Sequence, residues 1–349
     1  MKKINKYRVL AMMSGTSLDG LDLVICDFIK KENWTYKLLK AKTIKYNKYW
    51  TQTLGNLHNK NKKEINKIDI SYAIFLANEI KVFAKNHSID LIASHGHTIF
   101  HEPEKKITLQ IGDGEKIANE TKIITVSNFR KLDVSLNGNG APLVPIGDLY
   151  LFKKYKYCIN LGGFANISVK EKNKIFAFDI CPLNIILNKY SRKLGYEYDY
   201  DGIIAKKGKI INQLLENLNN LKYYIFDNPK SLSREWVEKN VYPLIHKKYS
   251  NEDILRTFCE HAAIQIGKKI TCSTALFTGG GTYNSFLMKR IEHYSKSKIY
   301  IPDKKTIEFK EAIIFGLLGV LKIRNEINCL KTVTGAIKNS SCGEINKPI

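Results

Sequence analysis

The sequence predicts a two-domain α/β protein with mixed sheets. A chain of 349 residues has the length of two ordinary domains, or of one large domain with insertions. Hydrophobic residues make up 44% and charged residues 26%, which is typical of a globular protein with a sizeable core. Each half of the chain opens in the same way, with strands that are joined by a tight glycine-bearing turn and followed by helices.

The first half begins with strands predicted at residues 7–13, 21–28 and 34–46, and the turn at residues 14–20 joins the first two. This start implies antiparallel pairing, because a parallel pair needs a long crossover connection. A long helix is expected over 65–85, followed by a short strand over 89–94 that ends at the polar segment Ser-His-Gly-His-Thr. A helix over 114–121 and a strand over 123–126 complete this half.

The composition changes at residues 128–145, which are rich in Gly, Asn and Pro, so we place a domain junction there. The predicted domains are residues 1–127 together with about 327–349, and residues 128–326. The second half has strands predicted at 157–161, 166–169, 175–179 and 275–278. Its predicted helices cover 182–194, 210–218, 231–246, 253–269, 282–294 and 309–324.

The net charge of +23 raises nucleic acid as a partner. However, only 7 of the 56 basic residues are Arg, and specific nucleic-acid sites favour Arg for bidentate and stacked contacts. Lys is scattered along the chain, which indicates a general composition bias. We therefore expect no nucleic-acid partner.

The sequence is typical of a cytoplasmic protein with no membrane partner. No run approaches the roughly 18 uninterrupted apolar residues of a membrane span. The apolar run at residues 9–13 is followed at once by Ser14, so we interpret it as a buried strand rather than a signal peptide. The seven cysteines are odd in number and contain no Cys-x-x-Cys pair, which argues against a disulfide framework and a zinc site.

The turn Gly-Thr-Ser-Leu-Asp-Gly at residues 15–20 is the first candidate for ligand binding. Its two glycines let backbone N–H groups approach a ligand, Thr16 and Ser17 add hydroxyl donors, and such a turn can cradle phosphate oxygens. It is neither a Walker A loop nor a dinucleotide fingerprint. An ordinary glycine turn between strands is the alternative.

Three consecutive glycines, Gly279, Gly280 and Gly281, follow a short apolar strand and precede a helix. They allow a flat ligand, such as a nucleotide base or a sugar, to lie against the backbone. The alternative is a tight connection with positive φ, but one glycine would satisfy that need.

Asp179 ends the predicted strand at residues 175–179, where α/β proteins place their chemistry, and it is a candidate general base. The alternative is a helix N-cap for the segment that starts at Pro182. The local sequence does not separate the two interpretations.

The cluster of Ser94, His95, His97 and Thr98 has the residue types of a metal site. Two histidines at positions i and i+2 rarely make a catalytic zinc site without a third defined ligand. Hydrogen bonding to a substrate is the favoured interpretation.

Together these motifs resemble the anhydro-N-acetylmuramic acid kinases, a family of the sugar kinase, actin and heat-shock-ATPase superfamily. Nearly the whole chain is covered, in family order, by the segments 13–22 (MSGTSLDGLD), 94–103 (SHGHTIFHEP), 108–114 (TLQIGDG), 128–134 (NFRKLDV), 138–145 (GNGAPLVP), 160–168 (NLGGFANIS), 178–179 (FD), 199–208 (DYDGIIAKKG), 229–235 (PKSLSRE), 278–290 (TGGGTYNSFLMKR) and 333–336 (VTGA). The resemblance implies an actin-like (ribonuclease H-like) ATPase fold with an interdomain cleft. It also implies phosphorylation of 1,6-anhydro-N-acetylmuramic acid by ATP with Mg²⁺ and opening of the anhydro ring. The product would be N-acetylmuramic acid 6-phosphate in peptidoglycan recycling, and a homodimer is compatible with the family.

The resemblance implies roles for individual residues as well. Asp179 would be the catalytic base in the second domain, which would also hold the adenosine, and no metal ligand is assigned. The first domain would hold the ATP phosphates and the substrate. The ATP-binding residues would be Gly15, Thr16, Ser17, Leu18, Asp19, Gly20, Leu21, Asp22, Gly162, Gly163, Asn166, Gly279, Gly280, Gly281 and Asn284. The sugar-binding residues would be Ser94, His95, His97, Thr98, Arg130, Asp133, Pro142 and Glu311.

Several positions near this chemistry depart from the family pattern. Cys181 and Leu183 replace glycines, and Leu183 would be strained by roughly 1–2 kcal/mol if its φ were positive. A catalytically weak protein of the same fold that binds a muropeptide sugar or a nucleotide is therefore the alternative function. The other departures are Asn128 for an aspartate, Asn137 for a glycine, His97 for a glutamine, and no carboxylate near Asn188.

Overall fold

The computed structural model describes residues 5–15, 18–172, 174–225 and 231–349. The strands are β1 (Lys6–Ser14), β2 (Leu21–Lys30), β3 (Trp34–Ile44), β4 (Leu91–Glu102), β5 (Ile107–Ile111), β6 (Thr125–Ser127), β7 (Tyr157–Leu161), β8 (Phe164–Glu171), β9 (Lys174–Pro182), β10 (Thr274–Thr278), β11 (Lys298–Tyr300) and β12 (Glu344–Asn346). The helices are α1 (Lys48–Asn56), α2 (Lys62–Phe83), α3 (Gly114–Thr121), α4 (Lys131–Ser135), α5 (Pro145–Leu151), α6 (Asn184–Lys193), α7 (Ile203–Lys207), α8 (Asn212–Asn219), α9 (Arg234–Asn240), α10 (Asn251–Lys269), α11 (Ser285–Tyr294), α12 (Lys304–Ile323) and α13 (Lys331–Thr334).

The chain divides into two compact units, Met1–Leu151 with Phe309–Ile349, and Phe152–Glu308. These bounds differ from the predicted ones, which placed residues 128–151 and 309–326 in the other domain. The Gly-, Asn- and Pro-rich segment packs inside the first unit, where Phe129 lies 5.4 Å from Phe315 between ring centres. Its composition marks an irregular loop rather than a boundary.

The first unit is built on a mixed sheet in the order β12-β6-β4-β1-β2-β3, with β5 paired to β4. β1, β2 and β3 pair antiparallel, whereas β4 runs parallel to β1 and β6 parallel to β4. Val9, Leu10, Ala11 and Met12 of the central strand β1 are all buried. Such a continuous apolar run is expected of a strand that is covered on both faces of its sheet.

The second unit repeats this arrangement on a sheet in the order β11-β10-β7-β8-β9. β7, β8 and β9 pair antiparallel, and β10 and β11 run parallel to β7. Strand order and direction thus match those of β6-β4-β1-β2-β3, which confirms the internal similarity between the two halves of the sequence. The two mixed sheets confirm the α/β class, and this strand order is that of the ribonuclease H-like fold of actin-like ATPases.

Each unit has its own apolar core. In the first unit, α2 begins with a capping box between Asn61 and Glu64 and buries Tyr72, Leu76 and Ile80 among sheet residues. In the second unit, α10 supplies much of the corresponding core. No helix within the described ranges is long and apolar enough to cross a membrane.

Among the differences between the predicted and the observed elements, three concern the candidate site and its surroundings. β4 continues to Glu102 because β5 pairs with its second half, so the histidine cluster lies within a strand rather than after it. β9 continues to Pro182 because Phe164 pairs with that residue, so Asp179 lies inside the strand rather than at its end. The helix predicted over 231–246 is limited to α9, and the chain continues into a short 3₁₀ turn that contains a proline, a residue that disrupts helix interiors.

Candidate functional site

The turn between β1 and β2 brings Gly15, Leu18 and Gly20 together, while Thr16 and Ser17 lie outside the described residues. A Cβ atom on Gly20 would lie 2.6 Å from the carbonyl oxygen of Ile44, so packing alone requires glycine at that position. Leu18 has a φ of 59°, a left-handed conformation that costs an L-residue roughly 1–2 kcal/mol. Such strain is common in turns that hold ligands, and it supports this role for the turn.

A chain of hydrogen bonds joins four side chains beside this turn. Ser14 Oγ lies 2.7 Å from Tyr46 Oη and 2.8 Å from His97 Nδ1, and Tyr46 Oη lies 2.6 Å from Tyr72 Oη. Burial lowers the pKa of His97 to about 4, so its ring is neutral near pH 7. We call Ser14, Tyr46, Tyr72 and His97 the hydroxyl chain.

His95 makes a second buried contact in the same unit. Its Nδ1–H donates to Gly96 O over 2.9 Å, and its Nε2 accepts from Arg130 Nη2 over 2.8 Å. Burial, followed by the charge of Arg130, holds the pKa of His95 well below its ordinary value. Arg130 also donates to Gly140 O over 2.7 Å, so its guanidinium ties β4 to the loop at residues 137–142.

Asp133 holds the other side of that loop. Its side chain is 1% exposed. One carboxylate oxygen accepts from Thr334 Oγ1 over 2.8 Å and from Cys329 Sγ over 3.0 Å, and the other accepts from Gly140 N over 2.8 Å. With both oxygens committed to buried protein donors, Asp133 is suited to positioning the loop rather than to contacting a sugar.

The remaining predicted sugar-site residues differ in their surroundings. Ser94 Oγ is buried and has no hydrogen-bond partner in the described part of the chain, and Thr98 Oγ1 accepts from Gln110 Nε2 over 3.5 Å. Pro142 and Glu311 are exposed. The Glu311 side chain reaches solvent, but the surrounding protein atoms limit hydration of its charged form and so raise the pKa of its carboxyl. The negative charge of Asp22 adds to this shift, and the positive charge of Arg130 opposes it.

The two histidines of this cluster already take part in hydrogen bonds. His95 Nε2 and His97 Nδ1 each already have a hydrogen-bond partner. Among the residues that the structure describes, no group of three or more His, Cys, Asp or Glu side chains could hold a metal ion.

In the second unit, the β7–β8 turn is attached to the start of α6. Gly163 O accepts from Leu183 N over 2.9 Å, and Gly162 O accepts from Asn184 N over 3.3 Å. Asn184 Nδ2 also donates to Leu161 O over 3.1 Å. Across β8 and β9, Asn166 pairs with Asp179 beside a bulge, so the turn, α6 and Asp179 form one connected structure.

Asp179 is a half-buried carboxylate with a single hydrogen bond. Its Oδ2 accepts from Leu232 N over 2.8 Å, and its Oδ1 has no partner within the described residues. Burial raises the pKa of Asp179 above its usual range, and the bond from Leu232 opposes the shift in part. The helix-cap interpretation is wrong, because the N-cap residue of α6 is Leu183 and no side chain in the described part of the structure caps that helix.

The three glycines after β10 have different surroundings. Gly279 has a φ of 86°, and a Cβ atom there would lie 2.5 Å from Asn160 Oδ1. A Cβ atom on Gly281 would lie 2.7 Å from Leu161 Cβ, whereas one on Gly280 would have no atom within 4 Å. Packing on β7 therefore explains two of the glycines and leaves open space at the third. Asn284, from the same segment, caps α11 by accepting from Leu287 N over 2.8 Å.

Gly280→Ala is expected to keep the fold and to raise KM for the nucleotide. The new methyl group enters open space, so its effect on melting temperature should be small, while the surface offered to a flat ligand becomes uneven. Thermal unfolding and KM for ATP check both parts. Gly281→Ala is the matched comparison, because its methyl group meets Leu161 and should lower the melting temperature. An unchanged KM in Gly280→Ala would contradict a nucleotide contact at this position.

The departures from the family pattern fit the backbone in different ways. Leu183 has a φ of −134°, so the strain considered for a left-handed leucine does not arise, and its side chain is 1% exposed. Asn137 does adopt a left-handed φ of 62°, which Asn tolerates better than most residues. Asn128 has a φ of 53° and donates to Glu344 Oε2 over 2.7 Å.

Sequence reasoning missed Tyr46, Tyr72 and Leu232. Tyr72 lies on the buried face of α2, and the helical pattern there indicates only an ordinary core residue. Leu232 acts through its backbone N–H, which no side-chain pattern reveals. The segment at residues 229–235 was the available signal for this contact, since it is one of the matching family segments.

The family model and the curated relatives agree with each other. Residues 7–348 match the family model for anhydro-N-acetylmuramic acid kinase. The chain is 32% identical to the anhydro-N-acetylmuramic acid kinase of Sulfurovum sp. (strain NBC37-1), over 98% of this chain and 99% of that protein. It is also 32% identical to the anhydro-N-acetylmuramic acid kinase of Francisella tularensis subsp. novicida (strain U112), over 98% of each chain. Among solved structures, it is similar to (R)-2-hydroxyglutaryl-CoA dehydratase component A of Acidaminococcus fermentans, with 12% identity over 91% of this chain and 99% of that one and a TM-score of 0.45.

Proposed function

The chain belongs to the anhydro-N-acetylmuramic acid kinase family, and we propose that it phosphorylates 1,6-anhydro-N-acetylmuramic acid with ATP and opens the anhydro ring. Membership of this family makes it a kinase, a phosphotransferase. The product would be N-acetylmuramic acid 6-phosphate. The observation that carries this proposal is the match to the family model over residues 7–348. Asp179 is the residue to which the sequence resemblance assigns the role of catalytic aspartate.

The proposed reaction couples hydrolysis of the ring to phosphoryl transfer. A water oxygen forms a bond to the anomeric carbon while the bond from that carbon to the anhydro oxygen breaks. The anhydro oxygen takes the γ-phosphoryl group, ADP leaves, and the water proton passes to Asp179. A positioned general base typically contributes roughly 10²–10⁴-fold to such a step.

The surroundings of Asp179 support its role as the base. The Leu232 N–H holds Oδ2 over 2.8 Å and fixes the orientation of the carboxylate, which leaves Oδ1 for a water proton. Partial burial weakens hydration of the charged carboxylate and so strengthens it as a base. The segment that contains Leu232 therefore positions the group that accepts the proton.

We assign the two parts of ATP to different units. The β1–β2 turn at residues 15–22 would hold the phosphates, and the glycines at 162–163 and 279–281 would lie along the adenosine. The interdomain cleft stays a prediction.

Mg²⁺ fits the residues at the phosphate turn. Asp19 is exposed, and Asp22 is half-buried with one carboxylate oxygen accepting from Thr43 Oγ1. Mg²⁺ is usually held by one or two carboxylates, phosphates and waters rather than by an all-protein cage, so these aspartates would hold it together with the ATP phosphates. When bound, the ion would neutralise charge on the phosphates.

The pH dependence of activity should follow the ionisation of Asp179. Because burial raises the pKa of this carboxyl, the base becomes protonated at a higher pH than an ordinary aspartate would. We expect kcat/KM for the sugar to fall as the pH decreases through this raised pKa and to be retained above it. A pH profile of kcat/KM measures this, since it reports ionisation in the free enzyme.

Asp179→Asn provides the comparison for that profile. Its residual activity should lose the acidic decrease, because the amide has no carboxyl to protonate. An identical acidic decrease in the variant would assign the titration to another group and contradict the role of Asp179 as the base.

A direct assay tests the proposed reaction as a whole. The full chain is incubated with Mg-ATP and 1,6-anhydro-N-acetylmuramic acid, and mass spectrometry follows formation of the ring-opened phosphorylated sugar and of ADP. Binding of the sugar without turnover would contradict the proposal and support the catalytically weak relative. Phosphorylation without ring opening would contradict the hydrolytic half alone.

The proposed setting is the cytoplasm, where the enzyme would act in peptidoglycan recycling. All seven cysteines are free thiols, and six of them are buried, which suits a reducing compartment. The proposed ligands are the sugar and ATP, with neither nucleic acid nor a membrane as partner, and a homodimer is the proposed assembly.

A further inference from the structure

The hydroxyl chain has a buried end at Tyr72. Tyr72 is 0% exposed, and its hydroxyl lies 2.6 Å from that of Tyr46. Ser14 is also close to Tyr72, but the contacts with hydrogen-bond geometry are Tyr72 to Tyr46, Tyr46 to Ser14, and Ser14 to His97. Three hydrogen bonds therefore join four side chains in a line.

These three bonds set the direction in which protons are donated. Ser14, Tyr46 and Tyr72 each carry one hydroxyl proton, so the three bonds accommodate three protons. If His97 Nδ1 also carried a proton towards Ser14, four protons would share three bonds, and one hydroxyl would have to donate outside the line. Tyr72 is fully buried, and an unpaired donor there would be costly, so the surplus proton would fall to the half-buried Tyr46. The arrangement that uses every hydroxyl proton within the line has Tyr72 donating to Tyr46, Tyr46 to Ser14, and Ser14 to His97 Nδ1.

The state of the His97 ring follows from this direction. The ring is neutral, because burial holds its pKa at about 4, and a neutral imidazole carries one proton. With Nδ1 accepting from Ser14, that proton is on Nε2, which has no hydrogen-bond partner among the described residues. His95, two residues earlier on β4, has the opposite tautomer, because its Nδ1 faces Gly96 O and its Nε2 faces Arg130.

We infer that the hydroxyl chain fixes His97 as the Nε2–H tautomer, so that His97 presents a donor, and never an acceptor, to an oxygen atom of the bound ligand. That oxygen belongs either to the sugar or to a phosphate of ATP, and its identity rests on the proposed function. The glutamine of the family pattern could rotate to offer an N–H₂ or a C=O group. His97 lacks this freedom, so it selects ligands that carry an acceptor oxygen at this point.

Nitrogen-15 NMR of the labelled, ligand-free full chain tests the tautomer directly. At pH 7, His97 should show a protonated Nε2 and an unprotonated Nδ1, and His95 should show the reverse in the same spectrum. A protonated Nδ1 on His97 would overturn the inference. This measurement does not depend on turnover, so its result is separate from the fate of the proposed reaction.

The double variant Tyr46→Phe/Tyr72→Phe tests whether the hydroxyl chain is the cause. It removes two hydroxyl groups together and keeps both rings, so it leaves no unpaired phenol in the core. We expect His97 to become a mixture of tautomers while His95 stays as it is. A His97 ring that keeps a single Nε2–H tautomer in this variant would show that another group sets it and would overturn the proposed cause.

Kinetics of His97 variants identify the ligand. His97→Phe removes the donor and should raise KM by about 2–10-fold, the effect of losing one net hydrogen bond, with a smaller change in kcat. A rise confined to KM for the sugar assigns the oxygen to the sugar, and a rise confined to KM for ATP assigns it to a phosphate. His97→Gln should recover part of the loss, because its amide can donate. Unchanged KM values for both substrates in His97→Phe would overturn the ligand contact.

Discussion

Asp179→Asn is expected to lower turnover by roughly 10²–10⁴-fold and to leave ATP affinity and melting temperature close to those of the wild type. Asparagine has nearly the same size, and its amide oxygen can still accept the 2.8 Å bond from Leu232 N. What it loses is the ability to take up a proton. Measurements of kcat, ATP affinity and melting temperature on one preparation separate a chemical effect from a structural one.

Asp253→Asn is the matched control for this substitution. Asp253 Oδ1 also accepts from a single backbone amide, Lys209 N, over 2.6 Å, and Asp253 lies outside the proposed site. The control should retain activity. A kcat near the wild-type value in Asp179→Asn would show that another group accepts the proton, and the mechanism proposed for this chain would then be wrong.

Asp133→Ala should destabilise the first unit by at least about 3 kcal/mol, because three donors lose their acceptor and each buried unpaired donor costs about 1–3 kcal/mol. These donors are Thr334 Oγ1, Cys329 Sγ and Gly140 N. Urea unfolding monitored by tryptophan fluorescence measures the effect. Replacing Trp236 with Phe in both proteins leaves Trp34 and Trp50, which lie in the first unit.

Asp133→Asn supplies an intermediate case. Its carbonyl oxygen can still accept from Thr334, but its N–H₂ group would face the Gly140 N–H, so two donors would meet. We expect a loss smaller than that of the alanine variant. An alanine variant that unfolds at the wild-type urea concentration would contradict the view that Asp133 holds the loop in place.

The parts of the fold that could be predicted from sequence are those fixed by local patterns. The apolar strands and the glycine turn between them predicted β1 and β2 within a few residues, and β7 at its observed bounds. The lengths of β4 and β9 could not be predicted, because each is extended by pairing with a partner strand whose register the sequence does not display. The observed domain bounds differ from the predicted ones for a similar reason. Hydrogen bonds with residues near the end of the chain hold the loop at 128–145 within the first unit, and the sequence does not display these contacts.

The roles proposed for the candidate site residues stay predictions, and the contacts among these residues could not be predicted from the sequence. Motifs identified His95, Arg130 and Asp133, yet nothing in them shows that Arg130 donates to His95 or that Asp133 is enclosed by Cys329 and Thr334. Contacts of this kind join residues 35 to 201 positions apart. They depend on how loops cross, which local propensities do not determine.

The attachment of α6 to the β7–β8 turn bears on how this family can diverge. Main-chain carbonyl groups accept hydrogen bonds from the first amides of α6. The side chain at position 183 is therefore not needed to cap the helix. Leucine could replace the usual glycine there without loss of the helix start. The Leu183 side chain, however, has a methyl carbon 3.2 Å from where a Cβ atom on Gly281 would lie. A lineage that has accepted leucine at 183 has therefore reduced the room at 281, and substitutions at these two distant positions should be mutually dependent in descendants of this sequence.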